Sequence, residues 1–347
     1  MTPRPDPRKP AFSGLGALPA LAAALAAAAI YILAASEDPA SAFRAFFLSP
    51  FTRPVVLANL VELAAAPCLC ALGTALVFRS GDFNLGGEGQ AYAGGTAAVL
   101  ILLAVPSLPG PAGLAGGFLA GAAAGAATSL PSALSRRTRG ADVLLSTFLV
   151  SQAVVLALDW AIAGPLRDPS SNLIATPVVS DAYRLPRLFP PSGLSFAPLL
   201  AAAAAFCLDR FLRTSRRGLE LNLYGRNPAF AASVGFRVRA YAFWPLLVSG
   251  ALNGAAGALL ALGSNGRAVR GMTGGIGWNG ISIALLAGND PRWVLPAALF
   301  FAWLEVGSRQ VSILAGISAD VGTVAKALVL LLATARFLGS RRREARK

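Results

Sequence analysis

The chain contains no histidine. That removes the commonest metal ligand and the usual proton shuttle at neutral pH. Its three cysteines, Cys68, Cys70 and Cys207, all fall in apolar segments. Without a second pair or a histidine partner they read as small buried hydrophobes, so no metal site and no disulfide framework is expected. Charge is also scarce. Only 13% of the 347 residues are Asp, Glu, Lys or Arg, against about 25% in soluble domains. No Gly-x-x-x-x-Gly-Lys-Ser/Thr run is present to cradle nucleotide phosphates. No nucleophile–base spacing stands out, so no catalytic residue is assigned and the chain does not read as an enzyme or as needing a cofactor. Lysine is nearly absent: of 30 basic residues only Lys9, Lys326 and Lys347 are Lys.

What the chain has is apolar length. Hydrophobic residues make up 55%, and the mean hydropathy is +0.62. A spanning helix needs about 20 apolar residues. Such runs lie near 15–35, 54–78, 88–107, 111–134, 142–164, 196–213, 239–263, 276–289, 292–309 and 321–339. The eighth is short and interrupted by Trp278-Asn279-Gly280, so it reads as a half-helix or a re-entrant segment. The expected class is all-α: a polytopic helical membrane protein of about ten spans, one domain over residues 1–347. Ten crossings put both ends on one side. That side then holds 21 of the 30 basic residues, among them Arg4, Arg8, Lys9, Arg136, Arg137, Arg139 and the Arg213–Arg239 group, which marks it as cytoplasmic. Arg267 and Arg270 fall outside, against the trend. Residues 18–35 follow a basic start and precede a cleavable Leu33-Ala34-Ala35-Ser36, as in a signal peptide; the run is longer than a signal core, and an uncleaved first helix is preferred.

Between the second and third spans lies Gly81-Asp82-Phe83-Asn84-Leu85-Gly86-Gly87-Glu88-Gly89-Gln90. Carboxylates and open backbone are costly in lipid, so this stretch must sit inside the bundle or beside an aqueous cavity. Its bland alternative is a cytoplasmic turn. Glycines at 113, 117, 121 and 125 recur every fourth residue and make one smooth helix face. Gly250, Gly254 and Ala258 repeat the device on the seventh span. Both faces suit close helix packing within the subunit.

The inner loop at 214–238 carries a second signal. Asn227-Pro228 is a good helix start, and Gly235 a good stop, for a helix of about two turns. A short capped helix on the positive side suits docking on another protein. Here a resemblance becomes specific. The pattern Gly225-x-Asn227-Pro228-x-x-Ala231-Ala232-x-x-Gly235, then Ser249-Gly250-Ala251-x-x-Gly254-x-x-Gly257, resembles permease subunits of ABC importers. The segments Phe83–Gln90 and Gly277-Trp278-Asn279-Gly280-Ile281-Ser282-Ile283-Ala284-Leu285-Leu286 are similar to motifs of the nucleoside and simple-sugar branch, related to the branched-chain amino acid permeases. The resemblance covers about residues 54–339.

It implies a permease in a bacterial inner membrane. It also implies three partners: a cytoplasmic ATPase that receives the loop helix, a second permease subunit (sister or self), and an extracytoplasmic solute-binding lipoprotein. By this reading Gly225, Asn227, Pro228, Ala231, Ala232 and Gly235 serve ATPase docking. Asn84, Glu88, Gln90, Asn253, Trp278 and Asn279 lie on the substrate pathway. The chain departs from the family pattern at Ala141-Asp142, Ser151 and the neutral Asn279. The implied solute is a flat, neutral, polar molecule, a nucleoside or simple sugar, with a flavin-type ring next. No Arg cluster is visible inside a span to meet an anion. The rival reading is an ion-coupled secondary transporter, with Glu62, Asp142 and Glu305 as coupling-ion sites. Asp159 is a further acid within a span.

Overall fold

The computed structural model describes residues 18–316, 318 and 320–345; at 18–21, 24 and 333–345 it describes the backbone alone. The basic residues expected at the extreme ends, such as Arg4 and Lys347, lie outside these limits. Among the described residues the secondary structure is helical, with one isolated bridge between Ala175 and Val269.

All ten expected spans are helices. The order is α1 (Leu18–Ala35), the short α2 (Pro39–Phe43) and α3 (Ser49–Thr52), α4 (Pro54–Arg79), α5 (Gly87–Ala104), α6 (Gly110–Arg139), α7 (Val143–Ala163), α8 (Ala197–Thr214), α9 (Arg216–Arg226), α10 (Pro228–Ser233), α11 (Val238–Tyr241), α12 (Trp244–Leu259), α13 (Ile276–Leu286), α14 (Pro291–Ala315) and α15 (Asp320–Ala345). Among the described residues four stretches suffice, by length and hydropathy alone, to cross a membrane: α4, α6, α7 and Val238–Asn265. The last joins α11, α12 and a π-helical turn at Leu260–Asn265. The remaining spans are shorter or more polar and depend on their neighbours. Residues 36–53, to which the sequence assigns no element, form α2, a π turn at Arg44–Leu48 and α3. There Phe46 is fully buried and packs edge-on against Trp303, with ring centroids 5.7 Å apart.

The bundle's densest part is α5, α6 and α12. The smooth face expected on α6 meets the smooth face of α12 within the same chain. A Cβ on Gly121 would sit 2.9 Å from the Gly94 carbonyl oxygen, and one on Gly125 would strike the Gly250 carbonyl. Backbones this close exchange dispersion contacts that larger side chains would prevent. α4 runs through the centre between α12, α13, α14 and α8, and is buried from Ala64 to Phe78 except at Pro67.

Ion pairs mark one end of the bundle. Arg79 donates to the Asn289 carbonyl (3.0 Å) and to Asn222 Oδ1 (3.3 Å). Arg213 pairs with Asp290 at 2.7 Å, Arg292 with Asp209 at 3.2 Å, and Arg136 with Asp82 at 2.8 Å. The other end is covered by the proline-rich segment 164–196, whose Thr176, Val179 and Leu185 amides bond to the carbonyls of Ala268, Gly266 and Leu262.

Gly121→Leu is expected to destabilise the protein by about 1–3 kcal/mol through overpacking. Gly116→Ala, on the same helix with nothing within 4 Å of its would-be Cβ, should leave it unchanged or slightly more stable. Thermal unfolding of the two purified variants checks the contrast.

Candidate functional site: two helix breaks that meet inside the bundle

α4 ends at Arg79, and Gly81 turns the chain with φ +83°. A side chain at Gly81 would also crowd the Gly225 carbonyl, 2.9 Å from its Cβ. Residues 82–86 then return into the bundle without helical bonds. Their open backbone groups are met by side chains, as a nonpolar setting requires. Leu85 N–H donates to Thr147 Oγ1 (3.0 Å), Gly86 N–H to Asn84 Oδ1 (2.8 Å) and Gly89 N–H to Ser151 Oγ (2.9 Å). α5 starts only at Gly87.

The second break lies opposite. After the π turn the chain re-enters through Gly266–Gly275, with positive φ at 266, 271, 274 and 275. α13 then begins at Ile276. Its 11 residues span about 16 Å, roughly half a hydrocarbon core. The eighth span is thus a half-helix completed by re-entrant coil. The N-termini of α5 and α13 face each other: a Cβ on Gly277 would collide with the Glu88 amide.

Glu88 joins them. Its Oε1 accepts from Gly275 N–H and its Oε2 from Gly277 N–H, both at 2.9 Å. The carboxylate therefore caps α13 while sitting in the first turn of α5, a favourable place for negative charge beside two positive dipole ends. The polar stretch is no cytoplasmic turn.

The amides expected on the pathway are mostly bonded to each other. Asn84 Nδ2 donates to Gln90 Oε1 (3.1 Å) and to Ser249 Oγ (2.9 Å), and Asn253 Nδ2 donates to Gln90 Oε1 (2.7 Å). All three amides are at most 2% exposed. They tie the first break to α12 and leave one acceptor, Asn253 Oδ1, without a protein partner. Trp278 and Asn279 point apart. Trp278 is 39% exposed and meets Phe148 of α7, while Asn279 faces a cavity.

That cavity, of about 260 Å³, is walled by α4, the re-entrant coil, α13, α14 and α15. Asn279, Thr273 and Phe301 line it together with Glu305, Arg309 and Lys326. Glu305 accepts from Lys326 Nζ at 2.5 Å and from Arg309 at 3.1 Å. Leu63 and Pro67 also line it. Pro67 lacks the N–H that would bond the Leu63 carbonyl inside α4. The sequence shows no basic cluster inside a span; folding assembles one by bringing Arg309 of α14 and Lys326 of α15 to one carboxylate.

The other acids are partnered too. Glu62 accepts from the Ser195 amide and hydroxyl at 2.8 Å. Asp142 caps α7 through Leu145 N–H. Asp159 accepts from Tyr92 Oη at 2.7 Å and lies 3.7 Å from Arg270. Glu62, Asp142 and Glu305 therefore do not converge on a shared cation position, and no cluster of His, Cys, Asp or Glu suited to a metal occurs among the described residues.

The inner loop folds as its sequence indicates. Asn227 Oδ1 accepts from Phe230 N–H (2.9 Å), starting α10, and Gly235 has φ +82°. Ala231 is fully buried with Leu221, Tyr224 and Tyr241. It holds the loop together, whereas Phe230 (50%), Val234 (48%) and Ala232 face outward. Gly225 lies so close to α4 that a Cβ there would strike the Arg79 carbonyl. Below α10, Glu220 accepts from Tyr241 Oη (2.6 Å) and Arg216 (2.8 Å). The Tyr241 hydroxyl first, and Arg216 next, hold the half-buried Glu220 carboxyl below its ordinary range.

Sequence reasoning passes over Thr147, and notes Ser151 and Ser249 only as motif positions, not as the hydroxyls that satisfy the first break. The signal for the first two is their i, i+4 spacing on α7, which puts both on one face. Lys326 was visible as the sole lysine within a span.

A family model described as branched-chain amino acid transport system, permease component, matches residues 56–335. The chain is 32% identical to a glucose ABC transporter permease protein of Haloferax volcanii over 96% of this chain and 91% of that one. It is 29% identical to a probable riboflavin import permease protein of Treponema pallidum, over 88% and 81% of the two chains. A guanosine ABC transporter permease protein of Bacillus subtilis is 28% identical over 90% of each.

Glu88→Ala leaves the Gly275 and Gly277 amides unpaired, each costing about 1–3 kcal/mol. Glu88→Gln keeps one acceptor oxygen and should fall between Ala and the parent in thermal midpoint. Purified variants in detergent decide this; equal midpoints for all three would show that the cap bears no strain.

Proposed function

We propose, starting from the fact that the chain belongs to the family of branched-chain amino acid transport system permease components, that it imports a nucleoside or simple sugar across a bacterial inner membrane. It is a multi-pass ABC transporter permease. In this reading it works with a second permease subunit, a cytoplasmic ATPase pair and an extracytoplasmic binding lipoprotein, and has no catalytic residue of its own.

One observation carries the mechanism. The loop 214–238 is clasped to the start of the first helix break and, through Arg79, to the chain just past α13. Gly225 rests on Arg79 and Gly81, where the first break begins. Arg79 reaches both Asn222 of α9 and the carbonyl of Asn289, just past α13. A pull on α10 thus acts on the stretch that leads to Glu88 and on the far end of the helix that Glu88 caps. When the ATPase pair closes on ATP, the loop moves, the two breaks shift as a unit, and the pathway changes the side to which it opens. Such a switch needs a differential contact between two states, and the exposed face of α10 supplies it.

The solute route runs past Asn279 and the cavity beside it. Glu88, Asn84, Gln90 and Asn253 form the scaffold of that route, and Trp278 covers its flank toward α7. The cavity's volume lies a little under the ~300–1,000 Å³ typical of ligand pockets, which suits a monosaccharide or nucleoside. Phe301 offers a ring face, and Asn279 and Thr273 offer neutral polar groups. The Glu305 charge is already taken by Lys326 and Arg309.

Two outcomes test this reading. First, Phe230→Asp or Ala232→Arg should abolish stimulation of ATP hydrolysis by loaded binding protein in proteoliposomes while membrane insertion stays normal. Ala231→Arg should instead destroy the loop. Full stimulation in an Ala232→Arg protein would sink the docking assignment. Second, uptake should require ATP and survive a protonophore. Thermal shifts of the cognate binding protein against nucleosides, riboflavin, pentoses and branched-chain amino acids identify the solute. Stabilisation by an amino acid alone would refute the nucleoside or sugar assignment and leave the transporter class standing.

A further inference from the structure

Next to α10, two adjoining hollows of about 730 and 520 Å³ open beside the start of α12, the first against α8 and α9 and the second against the end of α6. They share Arg237, Ala240 and Trp244. The first is flanked by Arg216, Arg217 and Glu220, the second by Arg137 and Arg239. Five guanidiniums therefore surround one carboxylate, and that carboxylate is spent on Arg216 and the Tyr241 hydroxyl. Among the described residues Arg137, Arg217, Arg237 and Arg239 form no ion pair. Arg137 instead lies over the Phe243 ring, 5.3 Å from its centroid.

The floor of the cleft is aromatic. Trp244 packs edge-on against Phe211 (5.9 Å) and Tyr241 (6.1 Å). Aromatic side chains beside arginines at the end of a spanning bundle mark the level of lipid headgroups. The wall continues along α12 as an exposed apolar face: Val248, one turn beyond Trp244, is 39% exposed, and α8 nearby exposes Phe206 at 70%. The cleft thus offers unpaired cations above and an apolar track below, and the outward face of α10, Phe230, lies outside both hollows.

We propose that this cleft binds an anionic phospholipid. Its phosphate sits among Arg217, Arg237 and Arg239, and its acyl chains follow the exposed faces of α8 and α12. Guanidinium forks match phosphate oxygens in pairs. Basic pockets between helices on the cytoplasmic side suit such headgroups. Because Gly235–Arg237 directly follow α10, the bound lipid braces the end of the docking helix.

The test uses the full-length chain in neutral detergent. Native mass spectrometry counts adducts of phosphatidylglycerol, phosphatidylcholine and soluble glycerophosphoglycerol. One phosphatidylglycerol should be retained in preference to phosphatidylcholine. The triple variant Arg217→Gln, Arg237→Gln, Arg239→Gln should weaken that retention roughly a hundredfold, three arginines each contributing about fivefold. The matching Arg→Lys triple variant should keep most of it, and Arg187→Gln with Arg267→Gln at the opposite end should change nothing. Equal retention of the two lipids by the parent protein overturns the proposal without reference to any variant. Binding of glycerophosphoglycerol as tight as that of the lipid would make this a phosphate site and overturn it too. So would a triple variant that keeps its lipid but no longer co-purifies with the ATPase subunit, which would make the cleft a protein contact.

Discussion

The structure turns on one carboxylate placed between two helix N-termini. Taking Glu88 out of water costs several kcal/mol. Two charge-assisted bonds, each worth about 1.5–3 kcal/mol, and the adjacent dipole ends, each worth about 0.3–1 kcal/mol, offset that cost without much surplus. The group is thus not there to add bulk stability. Its contribution is geometric: Glu88 is the protein partner of the Gly275 and Gly277 amides, so α13 begins where Glu88 is. Everything near the middle of the bundle follows from that placement, including the half-length of α13 and the coil that precedes it.

Small residues make the placement feasible. Gly87 and Gly277 let the two N-termini touch, Gly94 and Gly257 let α5 lie against α12, and Gly121 and Gly125 let α6 close behind them. The result is an inner block of α5, α6 and α12 with little room to deform. Bonds between Asn84, Gln90, Asn253 and Ser249 lock the first break into that block. α14 and α15 join the main apolar core through Val294, Ala298, Leu304, Val321 and Ala325, and the Glu305–Lys326 pair links the two beside the cavity.

Much of this was legible in the sequence because the signals are local. Ten apolar runs, a glycine every fourth residue on α6, the Asn227-Pro228 helix start and the interruption at Trp278–Gly280 each depend on a few neighbouring residues. The site was legible only as a set of residue types. Asn84, Gln90 and Asn253 do come together, but what each amide faces depends on pairs 163 or 165 positions apart, which no single sequence displays. Lys326 illustrates the same limit: Glu305 and Arg309 are one turn apart on α14, but only the packing of α14 on α15 brings Lys326 to them. Ala231 fits the docking pattern by spacing, yet a helix of six residues must spend one face on its own support.

The backbone contact between Gly225 and the end of α4 has a mechanical meaning. Most joints between a loop and a helix are cushioned by side chains that can change rotamer and absorb a displacement of an ångström or so. Here main chain rests on main chain, and the Gly225 Cα lies about as near to a Gly81 Cβ position as van der Waals contact permits, 3.3 Å. A joint of this kind has no backlash. Even a small stroke delivered to the loop must reach Asp82–Gly86 at nearly full amplitude, and with the same timing.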